Sequence, residues 1–234
     1  MILSIIIPCF NEEKTVSDML KMVEASPLDY LGVKKELIFV DDGSNDRTWD
    51  ILTGLQNKYQ MKLIRSGKNM GKGFAIRSGL AVATGDIVII QDADLEYSPS
   101  DYPLILKPFL ENKADVVYGS RFLKSKYPAQ MKLAYYLANR LLSFLANVLY
   151  GIHITDEATC YKAFKREILE KMNLECRGFE FCPEVTAKLS LKKIKIVEVP
   201  IEYRARRVEE GKKISLKDGF KAIQTLFKYR FKRH

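Results

Sequence analysis

The stretch IVIIQDADLE, residues 87–96, decides the fold. Ile87, Val88, Ile89 and Ile90 make an unbroken apolar run of strand length, as a strand buried on both faces requires. Asp92 and Asp94 follow two residues apart, and in extended chain such side chains point the same way. Two carboxylates therefore leave the end of a buried strand together, where open α/β sheets bind their ligands. Paired carboxylates repel unless something positive lies between them. A hard divalent cation carrying a phosphorylated ligand meets that need, because Mg²⁺ takes one or two carboxylates plus phosphate oxygens. Read alone, such a pair is more often an acidic turn after a strand, and the flanking sequence is what raises the functional reading.

The flanking sequence repeats the same unit. Residues 2–8 are a strand, apolar on both faces, running into Asn11 and Glu12. Residues 14–25 place Val16, Met19, Leu20 and Val23 at helical spacing. Residues 36–40 are a second strand, ending in Asp41-Asp42-Gly43-Ser44. Asp46 then caps a helix with Trp49, Ile51, Leu52 and Leu55 inward. Residues 61–64 form a third strand, and Gly67, Gly71 and Gly73 punctuate the loop before a helix at 74–83. Three such repeats predict an α/β domain, a mostly parallel central sheet with helices on both faces. Right-handed crossovers bring the strand ends to one edge. Glu12, Asp41, Asp42, Asp92 and Asp94 are expected to converge there.

Past the opening stretch the pattern loosens. Residues 100–110 are a helix and 114–118 a strand, closed by Gly119-Ser120-Arg121 and a loop with Lys124, Lys126 and Pro128. Residues 131–150, MKLAYYLANRLLSFLANVLY, read as a helix broken by Lys132, Asn139, Arg140 and Asn147. It is too polar to span a bilayer, yet apolar enough to lie on one or to pack on the sheet. A strand at 159–164, a short helix at 166–172 and a helix at 180–191 follow, the last with Glu180 and Glu184 on one face. Residues 195–201 fit an edge strand ended by Pro200. An Arg-rich loop at 203–213 leads to a basic amphipathic helix at 217–232, with Phe220, Ile223, Leu226 and Phe227 on its apolar side. No repeat or linker divides the chain. One domain spans residues 1–214, and residues 215–234 belong to it or face a membrane.

Composition narrows the class. In 234 residues, 47% hydrophobic content suits a globular domain with a sizeable core. No run of 18 apolar residues occurs, so no segment reads as a membrane span. The N-terminus, MILSIIIPCFNEE, lacks a basic region and a cleavage site, so it reads as a strand, with a cytoplasmic location expected. Cys9, Cys160, Cys176 and Cys182 show no C-x-x-C spacing and read as idle thiols. The net charge of +9 is concentrated in residues 188–234, which hold 15 Lys and Arg against 5 Asp and Glu. Such a block seeks phosphate, nucleic acid or an anionic membrane. No recognition helix or aromatic platform accompanies it, so no nucleic-acid partner is expected.

PCFNEE at 8–13, VDDGSNDRT at 40–48, DADLE at 92–96 and GSRF at 119–122 together resemble family 2 glycosyltransferases of the GT-A, Rossmann-like fold. ATCYKAFKREIL at 158–169, FEFCPEVTAKL at 179–189 and VEVPIEYRARRVEEGKKI at 197–214 resemble the dolichol-phosphate mannose synthases and bacterial polyprenyl-phosphate glycosyltransferases in particular. The resemblance implies an inverting hexosyltransferase that uses a GDP- or UDP-hexose donor and Mg²⁺ or Mn²⁺. It implies a donor site of Pro8, Phe10, Asn11, Glu12, Val40, Asp41, Asp42, Gly71, Lys72, Asp92, Ala93, Asp94, Arg206 and Lys212. Asp92, Asp94 and Glu96 are the implied metal ligands, Asp94 foremost. Glu96 stands where relatives often carry Gln.

The implied chemistry is self-consistent. A nucleoside diphosphate leaves a sugar readily only when its developing charge is neutralised, by a Lewis-acidic cation and by basic side chains. Arg204, Arg206, Arg207, Lys212 and Lys213 supply the latter, and the resemblance favours Arg206 or Arg207 as catalytic. A polyprenyl phosphate acceptor, dolichyl or undecaprenyl, is already an anion and needs positioning more than a base. Arg121, Lys132 and Arg140 are the candidates for its phosphate, with Lys124 and Lys126 in support. No Ser-His-Asp set is present. A membrane surface, or a small membrane subunit, is the implied partner. A second reading transfers the sugar to a saccharide hydroxyl and uses Glu180 or Glu184 as the base.

Overall fold

The computed structural model describes residues 1–125, 127–128, 131–205 and 216–232. The first half follows the alternation read from the sequence: β1 (Ile2–Cys9), α1 (Val16–Glu24), β2 (Lys34–Asp41), α2 (Thr48–Tyr59), β3 (Lys62–Arg65), α3 (Lys72–Leu80) and β4 (Ile87–Ile90). Then come α4 (Tyr102–Leu110), β5 (Val116–Ser120), α5 (Arg121–Lys124) and α6 (Leu133–Tyr150). The chain continues through β6 (Lys162–Lys165), α7 (Arg166–Glu170), α8 (Phe181–Leu191), β7 (Val197–Pro200) and α9 (Leu216–Phe231).

The seven strands form one sheet in the order β3-β2-β1-β4-β6-β5-β7. Every pairing is parallel except those of β6, which runs antiparallel to both β4 and β5. The chain winds outward from β1 to β3, then returns through α3 to β4 on the other side of β1. With right-handed crossovers this reversal puts helices on both faces, and the edge where it occurs is the binding crevice of such sheets. β7 is an edge strand, as Pro200 required. β1 and β2 end level at that edge, with Cys9 opposite Asp41, while β4 ends lower, with Ile90 opposite Ile6, so Gln91 to Asp94 run on beyond the strand toward the same edge.

The core explains the continuous apolar runs. Leu3, Ile5, Ile6 and Ile7 of β1 and all four residues of β4 are buried, because helices cover both faces. Val16, Met19, Leu20 and Val23 all point inward, as their spacing predicts. Glycine lets α3 lie close: a Cβ on Gly79 would meet Ile6 Cγ2 at 2.6 Å. Helix α3 begins at Lys72, two residues before the predicted start, because Gly71 holds φ 101° and turns the chain into the helix.

The last helix departs from expectation. Leu226, Ala222 and Tyr229 are its buried face, against α6 and α8, while Phe220 and Phe227 of the predicted apolar side remain exposed. Leu142 and Ala146 of α6 share that small second core. Among the described residues no helix is long and apolar enough to cross a membrane.

At the opposite, amino edge, Glu36 ties three strands together. Its carboxylate accepts from Lys62 Nζ at 2.6 Å, from the Thr84 N–H at 2.8 Å and hydroxyl at 2.7 Å, and from the Ser4 hydroxyl. Burial opposes its charge, but the bonds from Lys62, Ser4 and Thr84 win and hold the pKa at about 2. The charged form therefore stabilises the fold above the ordinary carboxylate range, and that gain is lost as pH falls toward 2. We expect Glu36→Gln to cost about 2 kcal/mol in urea unfolding at pH 7. The cost should shrink steadily below pH 4; a pH-independent cost would assign Glu36 a packing role alone.

Candidate active site at the carboxyl edge of the sheet

The edge is built around the exit of β4. Gln91, fully buried, ends the strand's apolar run with its side-chain carbonyl accepting from Tyr102 at 2.8 Å and Tyr161 at 2.6 Å. Its amide donates to the Asp92 carbonyl at 3.0 Å. The chain is thereby fixed where Asp92 and Asp94 emerge, with Ala93 buried between them. Asp94 Oδ1 accepts the Glu96 N–H at 3.1 Å, and Leu95 takes φ 62° to close this turn. Tyr203 donates to Glu96 Oε2 at 3.0 Å and packs on Tyr97, so residues beyond β7 also reach this corner.

Asp92 has a partner from α3. Lys72 Nζ lies 2.5 Å from Asp92 Oδ1 and 3.1 Å from Cys160 Sγ, above the Phe179 ring. Burial would depress this ammonium, but the Asp92 charge more than offsets it and keeps Lys72 protonated. Burial pushes the Cys160 thiol up, so it stays neutral. Among the described residues no three His, Cys, Asp or Glu side chains cluster as a metal cage. The donors at the corner are hard oxygens at Asp92, Asp94 and Glu96. They suit Mg²⁺ or Mn²⁺ completed by a ligand's phosphate oxygens, and they do not suit a closed all-protein site.

The wall facing the carboxylate pair is held by backbone bonds. Asp42 accepts from the N–H groups of Met70 at 2.9 Å and Gly71 at 2.7 Å, fixing the glycine loop before α3. Pro8, Phe10, Glu12, Asp42, Gly71, Lys72, Asp92, Ala93 and Asp94 all line one cavity. Glu12 is oriented by Thr48, which accepts its N–H at 2.8 Å, and by the Thr15 hydroxyl, which donates to its carboxylate at 2.7 Å.

Three expected donor residues lie elsewhere. Val40 is in the core, and Asp41 points to Arg65, 3.2 Å away, because neighbouring side chains on a strand face opposite sides. Asn11, at φ 52°, builds the turn to Ser44 and Asn45 outside the cavity lining.

The cavity, about 710 Å³, continues past Arg121 into the cleft between α6 and α9, where Met131, Tyr135, Leu142, Gly219 and Ala222 line it. Arg121 is 6% exposed and grips Asp156 through Nε at 2.7 Å and Nη2 at 2.6 Å. Lys132 also lines the cavity. Arg140 does not; its guanidinium donates to the Thr155 carbonyl at 3.2 Å and lies over Phe122. Lys124 pairs with Glu202 on the surface. Lys126, Arg206, Arg207, Lys212 and Lys213 lie outside the described residues. Arg204 is exposed, and its N–H donates to the Glu96 carbonyl at the corner.

Several site residues had no legible signal. Asp156 and Glu157 follow a plain turn, and Tyr97, Cys160 and Tyr203 are ordinary core residue types; only the folded chain brings them to this edge. Neither Glu180 nor Glu184 lines the cavity.

The family model described as Glycosyl transferase family 2 matches residues 4–172. A dolichol-phosphate mannosyltransferase of Pyrococcus furiosus is 30% identical over 91% of this chain, which spans 59% of that relative's length. A UDP-N-acetylglucosamine–dolichyl-phosphate N-acetylglucosaminyltransferase of Methanococcus voltae is 28% identical over 95% of this chain and 93% of its own length. In solved structures, the fold matches glucosyl-3-phosphoglycerate synthase of Mycobacterium tuberculosis in complex with UDP, with a TM-score of 0.68 and 23% identity over 97% of this chain and 79% of that one. The same enzyme in complex with Mn²⁺, UDP-glucose and phosphoglyceric acid gives a TM-score of 0.68 at 22% identity over the same shares. The sheet is thus that of a GT-A glycosyltransferase, and the chain belongs to glycosyl transferase family 2.

Proposed function

We propose that this chain moves a hexosyl group from a nucleotide sugar to a polyprenyl phosphate, with a divalent cation at Asp92 and Asp94. The observation that carries the reading is the single cavity that joins the carboxylate corner to an apolar cleft by way of Arg121. A donor's diphosphate fits the first and an isoprenoid chain the second. When bound, the cation would neutralise the charge that builds on the leaving diphosphate.

The step itself needs no proton transfer. An acceptor phosphate oxygen attacks the anomeric carbon from the face opposite the nucleotide. The bond from that carbon to the diphosphate oxygen breaks, its electron pair leaves with the nucleoside diphosphate, and the configuration inverts. Arg121, fixed by Asp156, and Lys132 are placed to hold the acceptor anion. Arg206 and Arg207 remain the proposed cations for the leaving group. Transfer to a saccharide hydroxyl would need a base, and Glu184 already accepts from four donors away from the cavity.

A lipid acceptor implies a membrane surface, and α6 and α9 are the proposed contact. Leu133, Leu137, Leu141, Phe144 and Val148 of α6 are 48% to 65% exposed and share one helical stripe. Phe220, Phe227 and Phe231 of α9 are exposed beside Lys217, Lys221, Lys228, Arg230 and Lys232. Apolar side chains ringed by basic ones suit an anionic lipid surface.

A donor screen tests the reading. With Mn²⁺ or Mg²⁺ and undecaprenyl phosphate, one of GDP-mannose, UDP-glucose or UDP-N-acetylglucosamine should give glycolipid, and the protein should float with anionic vesicles. Product on a soluble saccharide but none on the lipid would sink it. Lys72 tests the cation corner without turnover. Lys72→Met should cost about 3 kcal/mol by stranding Asp92, and millimolar Mn²⁺ should return part of the lost thermal stability. A variant that Mn²⁺ stabilises no better than wild type would place the cation elsewhere.

A further inference from the structure

Helix α8 carries a carboxylate that the proposed chemistry does not use. Glu184 is fully buried and does not line the cavity. Its two oxygens accept the N–H of Glu175 at 2.7 Å, the N–H of Cys176 at 2.8 Å and the Tyr229 hydroxyl at 2.8 Å, and pair with Lys188 Nζ at 2.7 Å. Burial opposes the charge, but these partners win and hold the carboxyl below its usual range. Both lone N–H groups of an irregular segment are thus satisfied by one side chain from outside it.

That segment, residues 175–178, is the back wall of the glycine loop. The Gly73 N–H donates to the Gly178 carbonyl at 3.2 Å, and the Phe74 N–H to the Arg177 carbonyl at 2.9 Å. The two backbones touch: a Cβ on Gly71 would lie 2.4 Å from the Arg177 oxygen, and one on Gly73 2.6 Å from the Cys176 oxygen. Lys72 sits between those glycines and pairs with Asp92. Asp42 grips the same loop from the opposite side. Any shift of residues 175–178 must therefore move Lys72 against Asp92.

We propose that Glu184 is a positioning residue for donor binding. It acts through the backbone of residues 175–178 to set the glycine loop and Lys72. Through Tyr229 it also ties that wall to α9. This rests on the reading of the carboxylate corner as the nucleotide-sugar site.

The test is calorimetric binding of GDP and of UDP, each with Mn²⁺, to the full chain. Glu184→Gln keeps the shape but replaces one acceptor with a donor facing an N–H. It should weaken nucleotide binding about tenfold, or about 1.4 kcal/mol, and raise the donor KM while kcat changes less than threefold. Amide exchange at Gly73 and Phe74 should quicken relative to α1 and α4. Glu184→Asp keeps the charge on a shorter arm and should recover most of the affinity; it also carries the comparison if the Gln variant does not fold. Tyr229→Phe removes only the α9 bond and should leave affinity within twofold. Unchanged affinity and exchange in a destabilised Glu184→Gln protein would overturn the proposal. A fall in kcat at constant KM would overturn it too, in favour of a base. Failure of the wild-type protein to bind either nucleotide would instead refute the donor site itself.

Discussion

Negative charge crowded into one sheet edge is the constraint on which this structure depends. Asp42 leaves β2, and Asp92 and Asp94 leave β4, toward one edge because both strands flank β1 in parallel. Carboxylates gathered at one edge repel one another and destabilise the fold unless they are compensated. The chain compensates them differently. Asp42 is neutralised by backbone dipoles, two N–H groups of the glycine loop. Asp92 is neutralised by a full charge, Lys72. The glycines of that loop are required because both devices need the backbone of residues 70–73 against the sheet edge and against residues 176–178 at once.

The same logic runs along the cavity with reversed sign. Arg121 would be a stranded cation at 6% exposure, and the fork of Asp156 answers it with two bonds and an ordered backbone N–H. One face of the guanidinium lies over the Tyr203 ring. The guanidinium is thereby held rigid, with its orientation set before the proposed acceptor anion would arrive.

The carboxylate corner, the proposed donor half, was legible in the sequence because its determinants are local. Apolar runs, the i, i+2 aspartates and the glycine spacing each fix structure within a few residues, and β1 to β4 followed. Val40 and Asp41 were misassigned to the site because a contiguous motif does not say which of two neighbouring side chains faces inward. The acceptor half was less legible because its pairs are long-range. Arg121 and Asp156, or Arg140 and the Thr155 carbonyl, meet only through the tertiary fold. The apolar side of α9 was drawn too wide for a related reason: a stripe of Phe, Ile and Leu gives an amphipathic face, while the neighbours decide how much is covered. Leu226 meets α6, and Phe220 and Phe227 meet nothing among the described residues that buries them.

The antiparallel course of β6 has an architectural consequence. β5 delivers the chain to the carboxyl edge at Ser120, and β6, its hydrogen-bonded neighbour, collects it again beginning at Lys162, opposite Tyr118. Residues 121–161, which include Arg121, Lys132, α6 and Asp156, are therefore a closed excursion whose two ends stand one strand spacing apart. Such a segment behaves as a cassette. Its middle can be lengthened, shortened or exchanged while the sheet keeps its register, whereas Cys160 and Tyr161 at its end stay tied to the carboxylate corner through Lys72 and Gln91. On the proposed reading, acceptor choice would be set largely apart from donor chemistry, and one sheet could be refitted for different acceptors by changing a single loop-to-loop insert.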